Sequence, residues 1–298
     1  ELALINYTSG STGFSKGVML PYRALETNLV YILENVHQQK AGDNIVSMLP
    51  MAHMYGLMVE VCNSFCRGCH IHFLTRIPSP KIILEAFAEC KPTFIITVPL
   101  VIEKIIRTKV FPLLDKPLMK VMLMIPFLDE QLLAKVRAKL EESFGGNLKQ
   151  IIVGGAALNK EVEMFLQKIG FPLTVGYGMT ECAPLISYSW CEDTKPLSCG
   201  KILPYNEYKI NSVDPENIPG ELWIKGGNVM QGYYKNEEAT EAVMDGEWMN
   251  TGDLGIVDKD GFLFLKGRSK NMILGPSGQN IYPEEIEDKI NNMQLVTE

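Results

Sequence analysis

Over the first two thirds of the chain, short apolar runs alternate with segments whose apolar residues recur at helical spacing. Leu2 to Tyr7 reads as a strand. After Pro21, residues Leu25, Leu29, Ile32, Leu33 and Val36 share one helical face. Asn44 to Leu49 reads as a strand, Pro80 to Cys90 as a helix and Thr93 to Val98 as a buried strand. Asp129 to Phe144 carries Leu133, Val136, Leu140 and Phe144 on one side, and it stops at Gly145 and Gly146, where a left-handed cap is needed. Ile151 to Val153 is the next strand. Asn159 can cap the helix after it, whose stripe of Val162, Phe165, Leu166 and Ile169 ends at Gly170. Leu173 to Tyr177 follows as a strand. Such alternation predicts an α/β fold, a layered and largely parallel sheet with helices on its faces.

The texture changes near Pro196. Short strand signals at Glu207 to Ile210, Glu221 to Lys225, Gly255 to Val257 and Phe262 to Leu265 are separated by turn residues, among them Pro219-Gly220, Asp245-Gly246 and Asp260-Gly261. The expectation is an α/β part over residues 1–196, a small distorted β-barrel over 197–267, and a hinge with the start of a small α+β C-terminal domain over 268–298. The chain opens on Glu1 within a strand pattern and closes on Val296 to Glu298 within a helical one, so a piece of a longer protein is expected.

Charge narrows the function. The 28 Lys+Arg against 35 Asp+Glu give a formal net charge of -7, which argues against a surface built for nucleic acid backbones. No apolar run reaches the roughly 18 residues of a spanning helix. The sequence reads without a secretory signal, so the 7 cysteines are expected to be reduced, cytosolic thiols. Cys62, Cys66, Cys69, His70 and His72 lie close together, but no second pair at structural-zinc spacing follows, so they read as packing residues and not as a metal site.

The segment Tyr7 to Gly17 holds most of the local chemistry. Thr8, Ser9, Gly10, Ser11, Thr12, Gly13 and Lys16 combine hydroxyl donors, glycines that let backbone N–H groups approach an anion, and a point charge. The reading places a strand before this loop and an amphipathic helix after it. A P-loop would need Gly at 15 and Ser or Thr at 17, and Ser15 and Gly17 break that pattern. The loop therefore reads as a phosphate cradle of another type, with a flexible Ser/Gly connector as the bland alternative.

Tyr7 to Gly17 resembles the signature loop of the adenylate-forming, AMP-binding superfamily, which includes acyl-CoA synthetases. Gly154 to Ala157 resembles the segment against which that family places adenine and the acyl group. Gly176 to Glu181 resembles its adenine and magnesium motif, Thr251 to Asp253 its ribose motif, Lys266 to Lys270 its hinge motif, and Gly278 to Glu287 the opening of its C-terminal domain. The resemblance implies an enzyme whose carboxylic acid substrate attacks the α-phosphorus of ATP, displacing pyrophosphate, before transfer to coenzyme A. It places adenine against Gly155, Ala156, Ala157, Tyr177 and Gly178, and the phosphates against the Thr8 to Gly13 loop, Lys16 and Thr180. Mg2+ falls to Glu181, the ribose to Asp253 and Arg268, and the substrate carboxylate to the neighbourhood of His53. Lys270 becomes the pivot of a domain rotation.

The chemistry of the side chains agrees with these roles: a tyrosine face for stacking, a hard oxygen ligand for magnesium, a planar guanidinium for ribose or phosphate. Thr97 to Pro99, Ile102 to Ile105, Ile152 to Leu158 and Asp260 to Arg268 further resemble the long-chain fatty acyl-CoA synthetases. That implies a fatty acid as partner and leaves room for peripheral membrane contact during its uptake. Leu57 to Val61 and Leu185-Ile186 could line an acyl tunnel or form ordinary core. The alternatives are a ligase for an aryl or amino acid, and a nucleotide-binding module without catalysis.

Overall fold

The computed structural model describes residues 1–8, 15–36, 38–125, 127–274, 280, 281, 283, 286, 287 and 290. The chain divides into two compact units. One comprises residues 32–175 and 190–196, the other residues 1–31, 176–189 and 197–298. This division differs from the expected 1–196 and 197–267, because residues 1–31 and 176–189 join the β-rich unit by strand pairing of their own.

In the unit of residues 32–175 and 190–196, the apolar runs form a 5-stranded parallel sheet. Across its width lie His70–Phe73, Asn44–Ser47, Phe94–Thr97, Gln150–Val153 and Leu173–Val175, the order 2-1-3-4-5 in sequence terms. Phe94–Thr97, Gln150–Val153 and Leu173–Val175 are buried at every position, the mark of strands covered on both faces, whereas the edge strand His70–Phe73 is largely exposed. The helices Pro80–Cys90 and Leu128–Ser143 enter the core through Phe87 and just past the second helix through Phe144, whose rings stand 5.6 Å apart. Burying rings of this size stabilises the unit by about 1.5–3 kcal/mol each, and Phe87→Ala would cost roughly 3–5 kcal/mol.

The stop signals act as read. Gly145 and Gly146 take φ of 98° and 77°, and a Cβ on Gly145 would stand 2.6 Å from the Phe87 carbonyl oxygen. Asn159 Oδ1 accepts from the N–H groups of Glu161 and Val162, capping helix Lys160–Lys168. The apolar stretch after His53 becomes a π-helical turn, Tyr55–Cys62, running into Asn63–Cys66. Among the described residues no group of three or more His, Cys, Asp or Glu is arranged to hold a metal ion, and no helix is long and apolar enough to cross a membrane.

The second unit is built from antiparallel pairs. Its main sheet, a curled half-barrel, runs Asn206–Asn211, Gly220–Gly226 and Trp248–Val257, and the last of these also pairs with Met244–Asp245 and Leu263–Arg268. Register shifts at Glu221/Trp223 and Leu254/Gly255 bend the strands, as β-bulges do. Asp245 pairs with Trp248 across a tight turn in which Gly246 has φ of 60°. Two small sheets complete the unit: Leu2–Thr8, Lys16–Pro21 and Gly232–Tyr233; and Lys201–Ile202, Leu185–Tyr188 and Tyr177–Gly178. Ile273–Leu274 and Asn280–Ile281 pair; half of the expected C-terminal motif between Gly278 and Glu287 lies outside the described residues.

Three expectations need correction. A strand that the sequence reading lacked, Lys16–Pro21, returns antiparallel to Leu2–Thr8, with Thr8 opposite Lys16, before the expected helix, Tyr22–Asn35. The segments that flank the loop are thus an antiparallel pair, and among the described residues no helix begins before Tyr22. The run Leu173 to Tyr177 breaks at Gly176, with Leu173–Val175 in the parallel sheet and Tyr177–Gly178 paired antiparallel with Leu185–Tyr188. On helix Tyr22–Asn35 the buried positions are Ala24, Asn28, Tyr31 and Ile32, while Leu25, Leu29 and Leu33 are only partly covered.

Candidate active site

The β-rich unit assembles most of the expected site residues. Tyr177 begins the short strand paired with Leu185–Tyr188, and its hydroxyl donates to Asp253 Oδ2 at 2.5 Å. Arg268 Nε stands 3.3 Å from Asp253 Oδ1, across the register pair Asp253↔Arg268. Asp253 lies inside the strand Trp248–Val257. The strand fixes it there: Thr251 Oγ1 donates to the Leu222 carbonyl at 2.8 Å and accepts the Asp253 N–H at 3.1 Å. Tyr177 and Asp253 are only 8% and 7% exposed. Burial, then the neighbouring Asp253 carboxylate, pushes the Tyr177 hydroxyl well above its ordinary pKa, so it stays protonated and remains a donor. A carboxylate only accepts, which is the chemistry a ribose hydroxyl needs from a partner.

Glu181 occupies the single helical turn Thr180–Cys182. It is 9% exposed, and its Oε1 accepts from the Tyr233 hydroxyl at 2.9 Å. Among the described residues, Oε2 takes no hydrogen bond, which suits a carboxylate that has a cation to bind. Burial, then Glu181, raises the Tyr233 hydroxyl far above its ordinary range. Lys16 Nζ stands 4.8 Å above the Tyr233 ring, a cation–π contact that holds the ammonium near this carboxylate. Strand pairing of Tyr233 with Val18 brings these groups together. Thr8 stands opposite Lys16; Ser9, Gly10, Ser11, Thr12 and Gly13 lie outside the described residues. Gly178 is glycine because a Cβ there would fall 2.2 Å from the Pro184 carbonyl oxygen. Lys270 is exposed, in the short turn Ser269–Asn271 that follows the last strand of the half-barrel.

The other unit places His53, Gly155, Ala156 and Ala157 along the carboxyl ends of its parallel strands, all exposed. In open parallel sheets ligands bind at that edge, where the strand order reverses, and in the order 2-1-3-4-5 the reversal lies between Asn44–Ser47 and Phe94–Thr97. Tyr55 spans the edge: its hydroxyl stands 3.3 Å from the Thr97 carbonyl oxygen and 3.0 Å from that of Ile152, and its ring covers Gly154. Glu60, in the same π-helical turn as Tyr55, accepts from Ser47 Oγ at 2.8 Å, Met48 N–H at 3.0 Å and Leu49 N–H at 3.3 Å, tying down the chain as it leaves its strand. Met58, Val59, Leu185 and Ile186 are buried and read as core.

A family model described as AMP-binding enzyme matches residues 1–234. The chain belongs to the AMP-binding enzyme family. It is 30% identical to the long-chain-fatty-acid–CoA ligase FadD15 of Mycobacterium bovis, over 99% of this chain and 51% of that protein. O-succinylbenzoate coenzyme A synthetase from Bacillus subtilis, solved in complex with ATP and magnesium ion, matches with a TM-score of 0.77 at 27% identity, over 99% of this chain and 55% of that one. ATP-bound MatB from Rhodopseudomonas palustris matches with a TM-score of 0.78 at 28% identity, over 99% and 54%. The chain thus spans about half the length of the AMP-binding relatives it matches. Sequence reading missed Tyr233, whose hydroxyl meets Glu181, and Tyr55, whose ring covers Gly154.

Proposed function

We propose that this chain is the nucleotide- and acid-binding part of a ligase that activates a long-chain fatty acid as its acyl adenylate and transfers the acyl group to coenzyme A. The observation that carries the reading is the convergence in one unit of groups far apart in sequence: Tyr177 with Asp253 and Arg268, and Glu181 with Tyr233 and Lys16. Asp253 and Arg268 bind the ribose, the one accepting from hydroxyls and the other donating. Lys16, the Thr8 to Gly13 loop and Thr180 hold the phosphates. Glu181 offers its open oxygen to magnesium, which when bound neutralises phosphate charge and favours loss of pyrophosphate. His53, Gly155, Ala156 and Ala157 receive the acid and adenine. Catalysis is then positional and electrostatic, with no covalent bond to the protein.

The fatty acid is supported by the likeness to long-chain-fatty-acid ligases. A second reading, an aromatic acid, is favoured by the likeness to O-succinylbenzoate synthetase. ATP–pyrophosphate exchange by the complete protein, with fatty acids of graded length beside aryl and amino acids, separates them. Exchange fastest with long fatty acids is expected; a preference for an aryl or amino acid would overturn the substrate, and exchange indifferent to any acid would overturn the activity.

A further inference from the structure

Glu181 rides on a turn that its own bonds, Cys182 N–H to the Met179 carbonyl at 2.9 Å and Met179 N–H to the Pro184 carbonyl at 2.8 Å, hold only in part. After the turn Thr180–Cys182, Ala183 takes a left-handed φ of 59°, and the chain then enters strand Leu185–Tyr188. Groups distant in sequence satisfy the remaining backbone groups of Glu181, Cys182 and Leu185. Asn28, on helix Tyr22–Asn35 and 0% exposed, donates from Nδ2 to the Cys182 carbonyl at 2.8 Å, and its Oδ1 accepts the Leu185 N–H at 2.9 Å. Asn228, also buried, donates from Nδ2 to the Leu185 carbonyl at 2.9 Å. Met230 N–H donates to the carbonyl of Glu181 itself at 2.8 Å. A buried carboxamide within a helix carries a desolvation cost and a lower helix propensity than leucine or alanine. An apolar residue would serve the helix face of Ala24, Tyr31 and Ile32 better, so the use of Asn28 lies in the turn it grips.

We propose that Asn28 is a positioning residue: by closing both ends of the Cys182–Leu185 turn, its carboxamide fixes where the Glu181 carboxylate stands toward the divalent cation of the nucleotide. The inference rests on the role given to Glu181 above. Asn28→Asp keeps shape and acceptor but removes the donor to Cys182; Asn28→Ser withdraws both contacts without adding charge and is read in the same way if the first variant does not fold. Each is compared with Glu181→Ala and with the double variant in the complete protein, by melting and by pyrophosphate exchange titrated with Mg2+. Asn28→Asp should fold, lose roughly 10-fold or more in kcat, and raise the half-saturating Mg2+ by a similar factor, with KM for the acid unchanged. In the double variant it should add little to the loss from Glu181→Ala, because residues acting as one unit are not additive. An unchanged Mg2+ midpoint, or losses that multiply in the double variant, would reduce Asn28 to a residue of the fold while leaving the role of Glu181 intact. An unchanged Mg2+ response in Glu181→Ala would remove the role of Glu181, and the inference with it.

Discussion

Glu60 makes stability depend on pH in a direction opposite to most carboxylates. It is 0% exposed, and burial outweighs its hydrogen bonds from Met48, Ser47 and Leu49, raising its pKa from an ordinary 4.5 to about 7. The folded chain therefore keeps this proton up to about pH 7, while the unfolded chain releases it near 4.5. Across that window the folded state binds more protons, so the contribution of Glu60 is fully present below about pH 4.5 and is lost as pH rises through about 7. At roughly 1.4 kcal/mol per pKa unit, the full loss is at most about 3 kcal/mol. Glu60→Gln removes the titration and keeps the shape. Its amide meets the Leu49 N–H where a carboxylate oxygen had been, at a pH-independent cost of about 1–2 kcal/mol. Urea unfolding of both proteins at pH 5 and pH 8 measures the effect. The wild type should lose about 2–3 kcal/mol more than the variant between the two values, so the variant gains on the wild type as pH rises. A wild-type–variant difference that is the same at both pH values, or that moves the other way, would refute the buried, proton-holding Glu60.

Three other outcomes follow from the site. Tyr233→Phe leaves the ring under Lys16 but strips Glu181 of its hydroxyl donor, and exchange should fall roughly 10-fold with melting little changed; unaltered exchange would remove Tyr233 from the site. Asp253→Ala should raise KM for ATP more than it lowers kcat and shrink discrimination against 2′-deoxy-ATP, as loss of a contact present before and during reaction does; an unchanged nucleotide preference would refute the ribose role. Lys270→Pro restricts φ in the exposed turn after Arg268 and should spare exchange while slowing acyl transfer from a supplied acyl adenylate; equal loss in both half-reactions would count against a hinge there.

The parallel sheet was legible because strands buried on both faces are continuous apolar runs, as Phe94–Thr97 and Gln150–Val153 are, and because Gly145, Asn159 and Gly170 stop and start helices by local chemistry. The half-barrel was legible through its turn residues. The strand Lys16–Pro21 was not, because a short apolar run ending in proline also reads as the approach to a helix. Nor was the break at Gly176, since the apolar pattern runs through it while the chain changes sheets. The motif residues of the site were legible by resemblance, but their supports were not. Tyr233 meets Glu181 across 52 positions and Asn28 meets Cys182 across 154, and neither pairing leaves a local signature.

The central claim is that Glu181 presents a carboxylate oxygen to the magnesium of a bound nucleotide while an acid is adenylated. ATP–pyrophosphate exchange with the acid that serves best, by the complete protein and its Glu181→Ala variant, across a Mg2+ titration, tests it most directly. The account predicts an intact fold, a loss of roughly 100-fold or more, and a half-saturating Mg2+ shifted far upward. Near-normal exchange by the variant at limiting Mg2+ would contradict it.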